Sequence, residues 1–437
     1  MNLFREDRFF CKGMILVIIL GIVIRLVLGT VLKFNGDSYS WALIISNVEA
    51  GSGLYDVSGY NYSPVWGYIL SAFAQLMPLI GVGEWGTLIP ELLVFEPEQL
   101  AFATSVEFNF AITCLFTAAD LAVAYLAYWI VKELTGDTIK AKIAFAVYLL
   151  AIHVIIISTA GAMFDSFSAL LTLLCVFFLY KNNYVCAGAM FAAAALLKLF
   201  PAFLIFILIA YLIQKDNLRW KRNLAYAAVG AIMMSAVIMV PNIMDGHLMD
   251  SMSFIISRAT SNEGIVALLM KYSSVIAYLI IISLEVVLAV HYFKKKDSSE
   301  RTFVWYLFIS IMIILLYPGT PQYVILLAPF LVMAAVVYDR RFVRPLLLTM
   351  VCTSMFALSS IDIQLASLAE YTDFMSVNSL VDFIRAYDDS GLFYVIGGIG
   401  GVGQYISIIW SLIIALEDTG FKIPKILGKR SPQETSE

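Results

Sequence analysis

The chain has 437 residues, of which 61% are hydrophobic and 14% are charged, and its mean hydropathy is +0.88. This composition excludes a water-soluble globular protein, in which about 25% of residues are charged. A formal net charge of -4 also argues against a nucleic-acid partner. The sequence therefore predicts an all-α fold, a polytopic transmembrane helical bundle whose surroundings are the lipid bilayer.

Apolar runs recur along the whole chain, and each is predicted to be a helix because a helix satisfies its own backbone polar groups in lipid. About 12–13 hydrophobic helices fit the length, since ~20 residues cross ~30 Å of hydrocarbon. The predicted spans lie near residues 14–33, 64–83, 109–131, 142–160, 166–180, 184–199, 201–214, 224–243, 273–293, 303–317, 323–338, 344–360 and 391–416. We interpret 1–437 as a single transmembrane domain with interfacial helices in its outer loops and a polar tail at 418–437.

Basic residues predict the orientation, because short cytoplasmic loops collect Lys and Arg. Basic clusters lie at residues 215–222, 294–301, 340–344 and 422–430, and they alternate with loops that are poor in Lys and Arg. The segments expected on the outer side are 161–166, the surroundings of Lys198, 244–272, 317–323 and 361–390.

The first part of the chain does not fit this alternation. The loop at 34–63 is expected outside and the loop at 132–142 inside, yet two predicted spans, 64–83 and 109–131, separate them. Either one of these spans does not cross the membrane or a further segment does. Residues 86–106, which hold two prolines, are predicted to form a short or re-entrant helix.

The first outer loop, residues 34–64, holds three carboxylates and no Lys or Arg. Asp37 follows the predicted end of the first span, and a carboxylate beside a low-dielectric slab has a raised pKa. Such a group suits a general base that takes a proton from a hydroxyl. The structural alternative is that Asp37 is the N-cap of an interfacial helix that reaches about Ala50.

An aromatic run, NYSPVW, follows in the same loop at residues 61–66. Tyr62 is a candidate for substrate contact, because sugar faces stack on aromatic rings. Tyr and Trp at this depth are also common membrane anchors. Both interpretations are compatible with the pattern.

Two charged residues lie at the predicted outer ends of later helices. Asp165, in GAMFDSF, either caps the helix that begins at Ser166 or frames a site together with Asp37. Lys198, in AAAALLKLFPAF, lies near the outer membrane edge, where a cation either snorkels or binds an anion. A lipid-linked phosphate is an anion found at that depth, so Lys198 is a candidate for phosphate binding.

The outer loop at 244–272 offers two more substrate-binding candidates. His247 and Arg258 are predicted to contact phosphate or sugar, and Arg258 suits bidentate phosphate binding best. Their alternative is a solvated loop position. The histidines, His153, His247 and His291, are too widely spaced for a histidine-based zinc site, so no metal ligand is predicted.

Other polar or unusual residues lie inside predicted spans. Arg25 and Asp120 are expected to form a buried structural ion pair rather than a catalytic one. The glycine run GGIGGVG at 397–403 falls inside an apolar span with no preceding strand. It predicts close helix packing rather than a nucleotide-binding loop.

The order of these features resembles the GT-C superfamily of integral-membrane glycosyltransferases, which use polyprenyl-phosphate-linked sugars, and its mannosyltransferases in particular. The shared features are a first span with an internal Arg, an outer loop that opens with Asp37, the NYSPVW motif, an Asp in a later span, and FDSF followed by LLKLFP. The resemblance covers about residues 15–215, and weakly PGTPQYVILLAPF at 318–330. Residues 216–416 are predicted to be more variable C-terminal helices.

The resemblance implies an inverting transfer of a hexose, with mannose as the first candidate, from a polyprenyl-phosphate donor to a glycan, lipid or protein acceptor. It places this transfer on the extracytoplasmic or luminal face. It implies that Asp37 is the catalytic carboxylate, that Lys198 neutralises the departing phosphate, and that Asp165 lies at the family's polar turn. The chain departs from the family at that turn, where Met163 and Phe164 replace Gly and Gln.

A multi-pass transporter or flippase for a polar or lipid-linked substrate is the second hypothesis. A transporter lines a midplane path with polar groups, whereas most candidates here lie in outer loops, which favours the transferase. These motifs require no cofactor, and a divalent metal ion is left open. The expected location is the plasma membrane of a prokaryote or the endoplasmic reticulum of a eukaryote.

Overall fold

The computed structural model describes residues 8–56, 60, 62–81, 83, 85–90, 101–251, 265–317, 320–360, 364, 368 and 376–420. Within these residues the chain is almost entirely helical, which confirms the predicted all-α bundle. Among them, 7 helices are long and apolar enough to cross a membrane, or 8 if a bent pair is one span, and shorter apolar helices accompany them. The chain is therefore a multi-pass membrane protein.

The helices follow most of the predicted apolar runs, and we number them in chain order. They are α1 (Lys12–Val31), α2 (Asn35–Glu49), α3 (Pro64–Leu76), α4 (Val106–Thr135), α5 (Thr138–Leu149), α6 (Ile152–Val154, continued by a π-helix at Ile155–Ala160), α7 (Asp165–Tyr180), α8 (Tyr184–Leu197), α9 (Ile205–Lys215, after a 3₁₀ turn at Phe200–Leu204), α10 (Trp220–Met244), α11 (Ile265–Lys295), α12 (Glu300–Ile314), α13 (Val324–Met333, after a 3₁₀ turn at Pro321–Tyr323 and continued by a π-helix at Ala334–Tyr338), α14 (Val343–Leu358, after a 3₁₀ turn at Arg340–Phe342), α15 (Val377–Ser390) and α16 (Leu392–Thr419). A 3₁₀ turn at Pro78–Ile80 follows α3, and two short strands, β1 (Gly86–Leu88) and β2 (Phe102–Thr104), pair antiparallel.

One end of the bundle collects the loops that are predicted to lie inside. We call it the basic face, and it contains residues 8–12, 132–142, 179–183, 214–222, 292–301, 337–341 and 417–420. Contacts link these loops to one another, for example Lys215 Nζ to Glu300 Oε1 at 2.9 Å and Arg341 Nη2 to Asp418 Oδ1 at 2.5 Å. The basic clusters in the described part of the chain therefore do share one side.

The opposite end carries α2 and parts of four of the segments that are predicted to lie outside. We call it the site face, and it contains α2, residues 161–165, 198–201 and 320–323, and the turn after α10. The end of α1 is tied to this face by Lys33, whose Nζ donates to Thr113 Oγ1 at 2.8 Å and to Thr159 O at 2.6 Å. Because α4 begins here and ends at the basic face, it crosses the bundle.

The predicted span at 64–83 is wrong as a crossing, because α3 begins and ends at the site face. At its start, the Ser63 hydroxyl donates to the carbonyl of Leu196, near the end of α8. After α3, the β1–β2 pair returns to α2, where the rings of Tyr39 and Phe102 lie 4.9 Å apart.

The helix predicted for residues 86–106 does not reach the two ends of that segment. The ends of that segment are the two paired strands, with Gly86 opposite Thr104, and residues 91–100 lie outside the described part of the chain. Because these two strands pair with each other, the two ends of the segment 86–106 lie on the same face of the bundle. One crossing, by α4, therefore separates the outer loop at 34–63 from the inner loop at 132–142, and the alternation of inner and outer loops needs no additional crossing.

The glycine run at 397–403 lies in α16, where it packs against α14. A methyl group on Gly400 would come within 2.5 Å of the Phe356 backbone nitrogen, and one on Gly403 within 2.3 Å of Cys352 Sγ. Only a residue without a side chain permits this approach of two helices. The predicted packing role of the glycines is confirmed.

Candidate functional site

Asp165 and Lys198 form a buried ion pair at the site face. Asp165 is the first residue of α7, and Lys198 ends α8 with an extended backbone. Lys198 Nζ lies 2.7 Å from each carboxylate oxygen of Asp165, and the two residues are 5% and 3% exposed. The N-cap of α7 is Phe164 and carries no side-chain cap bond. The capping alternative for Asp165 is therefore wrong, and its carboxylate binds the lysine.

Two aromatic rings hold the Lys198 ammonium group. Its Nζ lies 4.5 Å from the ring centre of Phe164 and 4.9 Å from that of Tyr323. Such cation–π contacts contribute about 0.5–2 kcal/mol each, more when the cation is desolvated. Sequence reasoning missed Tyr323, for which the signal was the weak family likeness of its segment.

An aromatic cluster around Phe164 forms the floor of the site. The Phe164 ring stacks on Trp66, with 4.9 Å between ring centres. It also contacts the rings of Tyr62 and Trp41, at centre-to-centre distances of 5.2 and 5.9 Å. Trp41 Nε1 also donates to the Ala162 carbonyl at 3.0 Å. These contacts fix the first outer loop against the turn before α7. Tyr62 thus lies in the site, with its half-buried ring packed edge-on against Phe164.

Asp37 lies in the first turn of α2, close to the ion pair. Because α2 begins at Asn35 and its N-cap is Phe34, the capping alternative for Asp37 is wrong. Within the described part of the chain, Asp37 forms no ion pair. Burial raises the pKa of Asp37 to about 7, the charge of Lys198 opposes this rise, and the charge of Asp165 adds to it. This carboxyl group therefore exchanges its proton near neutral pH.

Lys33 is a further buried cation that sequence reasoning missed. It lies four residues before Asp37, and its bonds to Thr113 and Thr159 join the end of α1 to α4 and to the π-helix after α6. This anchor determines where α2 starts. Lys33 therefore helps to place Asp37.

The predicted pair of Arg25 and Asp120 is confirmed, and it is structural. Arg25 Nε donates to Asp120 Oδ2 at 2.9 Å, and both residues are completely buried. The hydroxyls of Ser158 and Ser166 donate to Asp120 Oδ1 at 3.1 and 2.6 Å. Since Ser166 follows Asp165 in α7, this network also holds the helix that carries the site's second carboxylate.

His247 lies at the site face but is separated from the ion pair. Its Nδ1 lies 2.9 Å from Asp250 Oδ2, its Nε2 lies 3.5 Å from Asp56 Oδ1, and its ring stacks on Tyr55. The hydrogen bond to Asp250 and the charge of Asp56 raise the pKa of His247 above its ordinary value. The Tyr55 hydroxyl donates to the Tyr62 carbonyl at 3.1 Å, so His247 supports the loop that carries Tyr62.

The remaining predictions concern Arg258 and a metal ion. Arg258 lies outside the described residues. Among the described residues, no group of three or more His, Cys, Asp or Glu side chains is arranged to hold a metal ion. At the site itself, the carboxylates are those of Asp37 and Asp165, and Lys198 binds both carboxylate oxygens of Asp165. These side chains do not by themselves fit a protein-held metal centre.

The fold and the site together define a multi-pass membrane protein in which two carboxylates and a lysine converge at one face, over an aromatic floor. The sequence matches no protein-family model, and a search of curated proteins found no match to it.

Proposed function

We propose that the chain is a membrane glycosyltransferase that moves a hexose, with mannose as the first candidate, from a polyprenyl-phosphate donor to an acceptor hydroxyl. The observation that carries the proposal is Asp37, a half-buried carboxylate with a pKa of about 7 beside the Asp165–Lys198 pair. The site face is opposite the basic face, and Lys and Arg mark the cytoplasmic side. Transfer is therefore assigned to the extracytoplasmic or luminal side.

In the proposed reaction, the Asp37 carboxylate takes the proton from the acceptor hydroxyl as that oxygen attacks the anomeric carbon. The bond between the anomeric carbon and the phosphate oxygen breaks, and polyprenyl phosphate leaves with the electron pair. Attack from the side opposite the leaving group inverts the anomeric configuration. A general base is most effective when its pKa lies near the working pH, which the pKa of Asp37 satisfies.

Lys198 is the group proposed to stabilise the departing phosphate. An ammonium group has three N–H donors, and the two contacts with Asp165 leave one for a phosphate oxygen. A cation that is already oriented in a water-poor site stabilises developing negative charge more than a mobile one does. Asp165, Phe164 and Tyr323 are positioning residues in this mechanism, because they hold the ammonium group in place.

The deep charges help to separate this proposal from transport. A transporter for a polar or lipid-linked substrate needs polar groups along a path through the bundle. Arg25 and Asp120 instead bind each other, and Asp120 also accepts bonds from Ser158 and Ser166. Arg25 Nε and both Asp120 oxygens are therefore engaged within the protein, which favours the transferase, whereas Glu285 Oε1 and both ring nitrogens of His153 have no hydrogen-bond partner among the described residues.

The test is a transfer assay with purified protein in lipid nanodiscs. Radiolabelled polyprenyl-phosphate mannose or glucose is supplied with a panel of glycan, lipid and peptide acceptors. We expect label transfer by the wild type and a loss of about 10²–10⁴-fold in Asp37→Asn, the range for removal of a general base. Glu49→Gln is the matched control, because Glu49 is an exposed carboxylate on the same helix.

Wild-type rates of transfer in Asp37→Asn, or equal losses in Asp37→Asn and Glu49→Gln, would rule out Asp37 as the base. Movement of labelled lipid between the leaflets of proteoliposomes, without transfer of the sugar to any acceptor in the panel, would favour the transporter.

A further inference from the structure

A cavity of about 800 Å³ opens at the basic face, on the opposite side of the molecule from the candidate active site. Its walls come from α5, the π-helix at Ala334–Tyr338 and α14. This volume is in the range of sites that bind small molecules. None of the residues proposed for glycosyl transfer lines it.

The wall formed by α5 is apolar and has a defined depth. Ile143, Val147 and Leu150 line the cavity at the spacing of one helix face, with Lys140 at the mouth. From Lys140 to Leu150, the residue that caps α5, the ten residue steps rise about 15 Å. This is half of the ~30 Å hydrocarbon thickness, so the cavity extends about one leaflet into the membrane.

The facing wall, on α14, is also apolar and accessible. Val343, Leu347 and Met350 line the cavity at helical spacing. Val343 and Leu347 are 42% and 56% exposed, so the groove is open to the surrounding lipid. An acyl chain is the ligand whose shape and polarity match two apolar helical walls of this depth.

The mouth of the groove carries positive charge. Lys140 and Arg340 line it and are exposed, and neither forms an ion pair within the part of the chain that the structure describes. Asp339, the acidic residue at the mouth, is neutralised by Arg341, whose Nε lies 2.6 Å from Asp339 Oδ2. These two cations, which have no ion-pair partner among the described residues, are therefore available to bind an anion at headgroup level.

We propose that this groove binds an anionic glycerophospholipid of the cytoplasmic leaflet. Its acyl chains lie along α5 and α14, and its phosphate lies between Lys140 and Arg340. Basic pockets between helices on the cytoplasmic side bind headgroups of this kind. The charge at the mouth favours such a lipid over a zwitterionic lipid and over a second copy of the chain.

Native mass spectrometry of the detergent-purified protein tests this proposal, with phosphatidylglycerol and phosphatidylcholine of identical acyl chains as probes. We expect the wild type to retain phosphatidylglycerol preferentially. In Lys140→Gln/Arg340→Gln, its affinity should fall on the order of twentyfold, because each basic residue near a membrane surface contributes about fivefold.

Two further variants make the result specific to the groove. Lys132→Gln/Arg344→Gln removes the same charge from exposed positions on the same face that do not line the cavity, and it should keep wild-type affinity. Ala146→Trp fills the groove between its walls and should abolish retention of phosphatidylglycerol while leaving the mouth charges in place.

Three outcomes would overturn the proposal. The first is equal retention of phosphatidylglycerol and phosphatidylcholine by the wild type. The second is unchanged phosphatidylglycerol affinity in Lys140→Gln/Arg340→Gln, or an equal loss in the control double variant. The third is a lipid-free dimer that Ala146→Trp dissociates, which would assign the groove to a second copy.

Discussion

Two buried ion pairs in the described part of the chain have the same formal charges and very different surroundings. Arg25 and Asp120 are completely buried among helices. Arg25 binds Asp120 Oδ2, and the hydroxyls of Ser158 and Ser166 donate to Asp120 Oδ1. Asp165 and Lys198 lie at the site face, over aromatic rings. Asp37 is close enough that both of their charges affect its pKa. One pair is enclosed in the middle of the bundle, and the other lies at its end, beside the first turn of α2.

This difference shows that burial of charge is not by itself evidence of function. A buried pair whose carboxylate oxygens are all bonded within the bundle, as those of Asp120 are, serves the fold. A pair that keeps a donor and has a proton-exchanging carboxylate beside it is suited to chemistry. Equivalent substitutions at the two pairs should therefore have opposite consequences.

The largest expected effect is on stability, in Arg25→Met. This change leaves the Asp120 charge buried and unpaired, which costs about 3–5 kcal/mol of unfolding free energy. Arg25→Met/Asp120→Leu removes both charges and should recover most of that loss, since apolar replacements of buried pairs are often tolerated. Denaturant unfolding in detergent measures both values. A double variant as unstable as the single one would contradict the role of the ion pair.

The corresponding double variant at the other pair, Asp165→Leu/Lys198→Met, should fold but lose activity. Removing a preoriented cation from a developing negative charge costs about 10²–10³-fold in transfer rate. Initial rates at saturating donor, normalised to folded protein, measure this loss. If the variant transfers sugar at the wild-type rate, the two pairs are equivalent and the comparison fails.

A smaller effect is expected on the stability of Asp37→Asn. The raised pKa means that the native state binds more protons than the unfolded state between pH 4 and 7, so wild-type stability falls as pH rises through that window. The variant lacks this cost and should be more stable above pH 7. The expected gain is about 1–2 kcal/mol, less than the full shift implies because the side chain is partly exposed.

Unfolding of both proteins across this pH range measures that gain, with Glu49→Gln as the control that should show none. A stability difference that is constant with pH would indicate that burial of the Asp37 charge has no energetic cost.

The sequence predicted the helices and the two faces well, because hydropathy and the positions of Lys and Arg are local signals. Pairing of Arg25 with Asp120 also followed from chemistry, since two isolated intramembrane charges of opposite sign seldom stay apart. The co-location of Asp165 and Lys198 followed from the alternation of loops. Their direct contact depends on how α7 and α8 pack, which a single sequence does not reveal.

The errors have equally physical causes. The apolar run at 64–83 has a crossing-like composition, but Pro78 and a following turn end its helix early. Phe164 interrupted the family pattern and was interpreted as a departure, whereas its ring supports Lys198 and packs on Trp66. Tyr323 reaches the site from far along the chain. Such long-range contacts leave no periodic signal in the sequence.

The most direct test of the central claim, that Asp37 is the general base, is the pH dependence of kcat/KM for sugar transfer by the wild-type protein. The carboxyl group must be ionised to accept a proton, and its pKa lies at about 7. We therefore expect log kcat/KM to rise with unit slope up to about pH 7 and to be constant above it. A profile that is flat from pH 5 to 8 would contradict this assignment of Asp37.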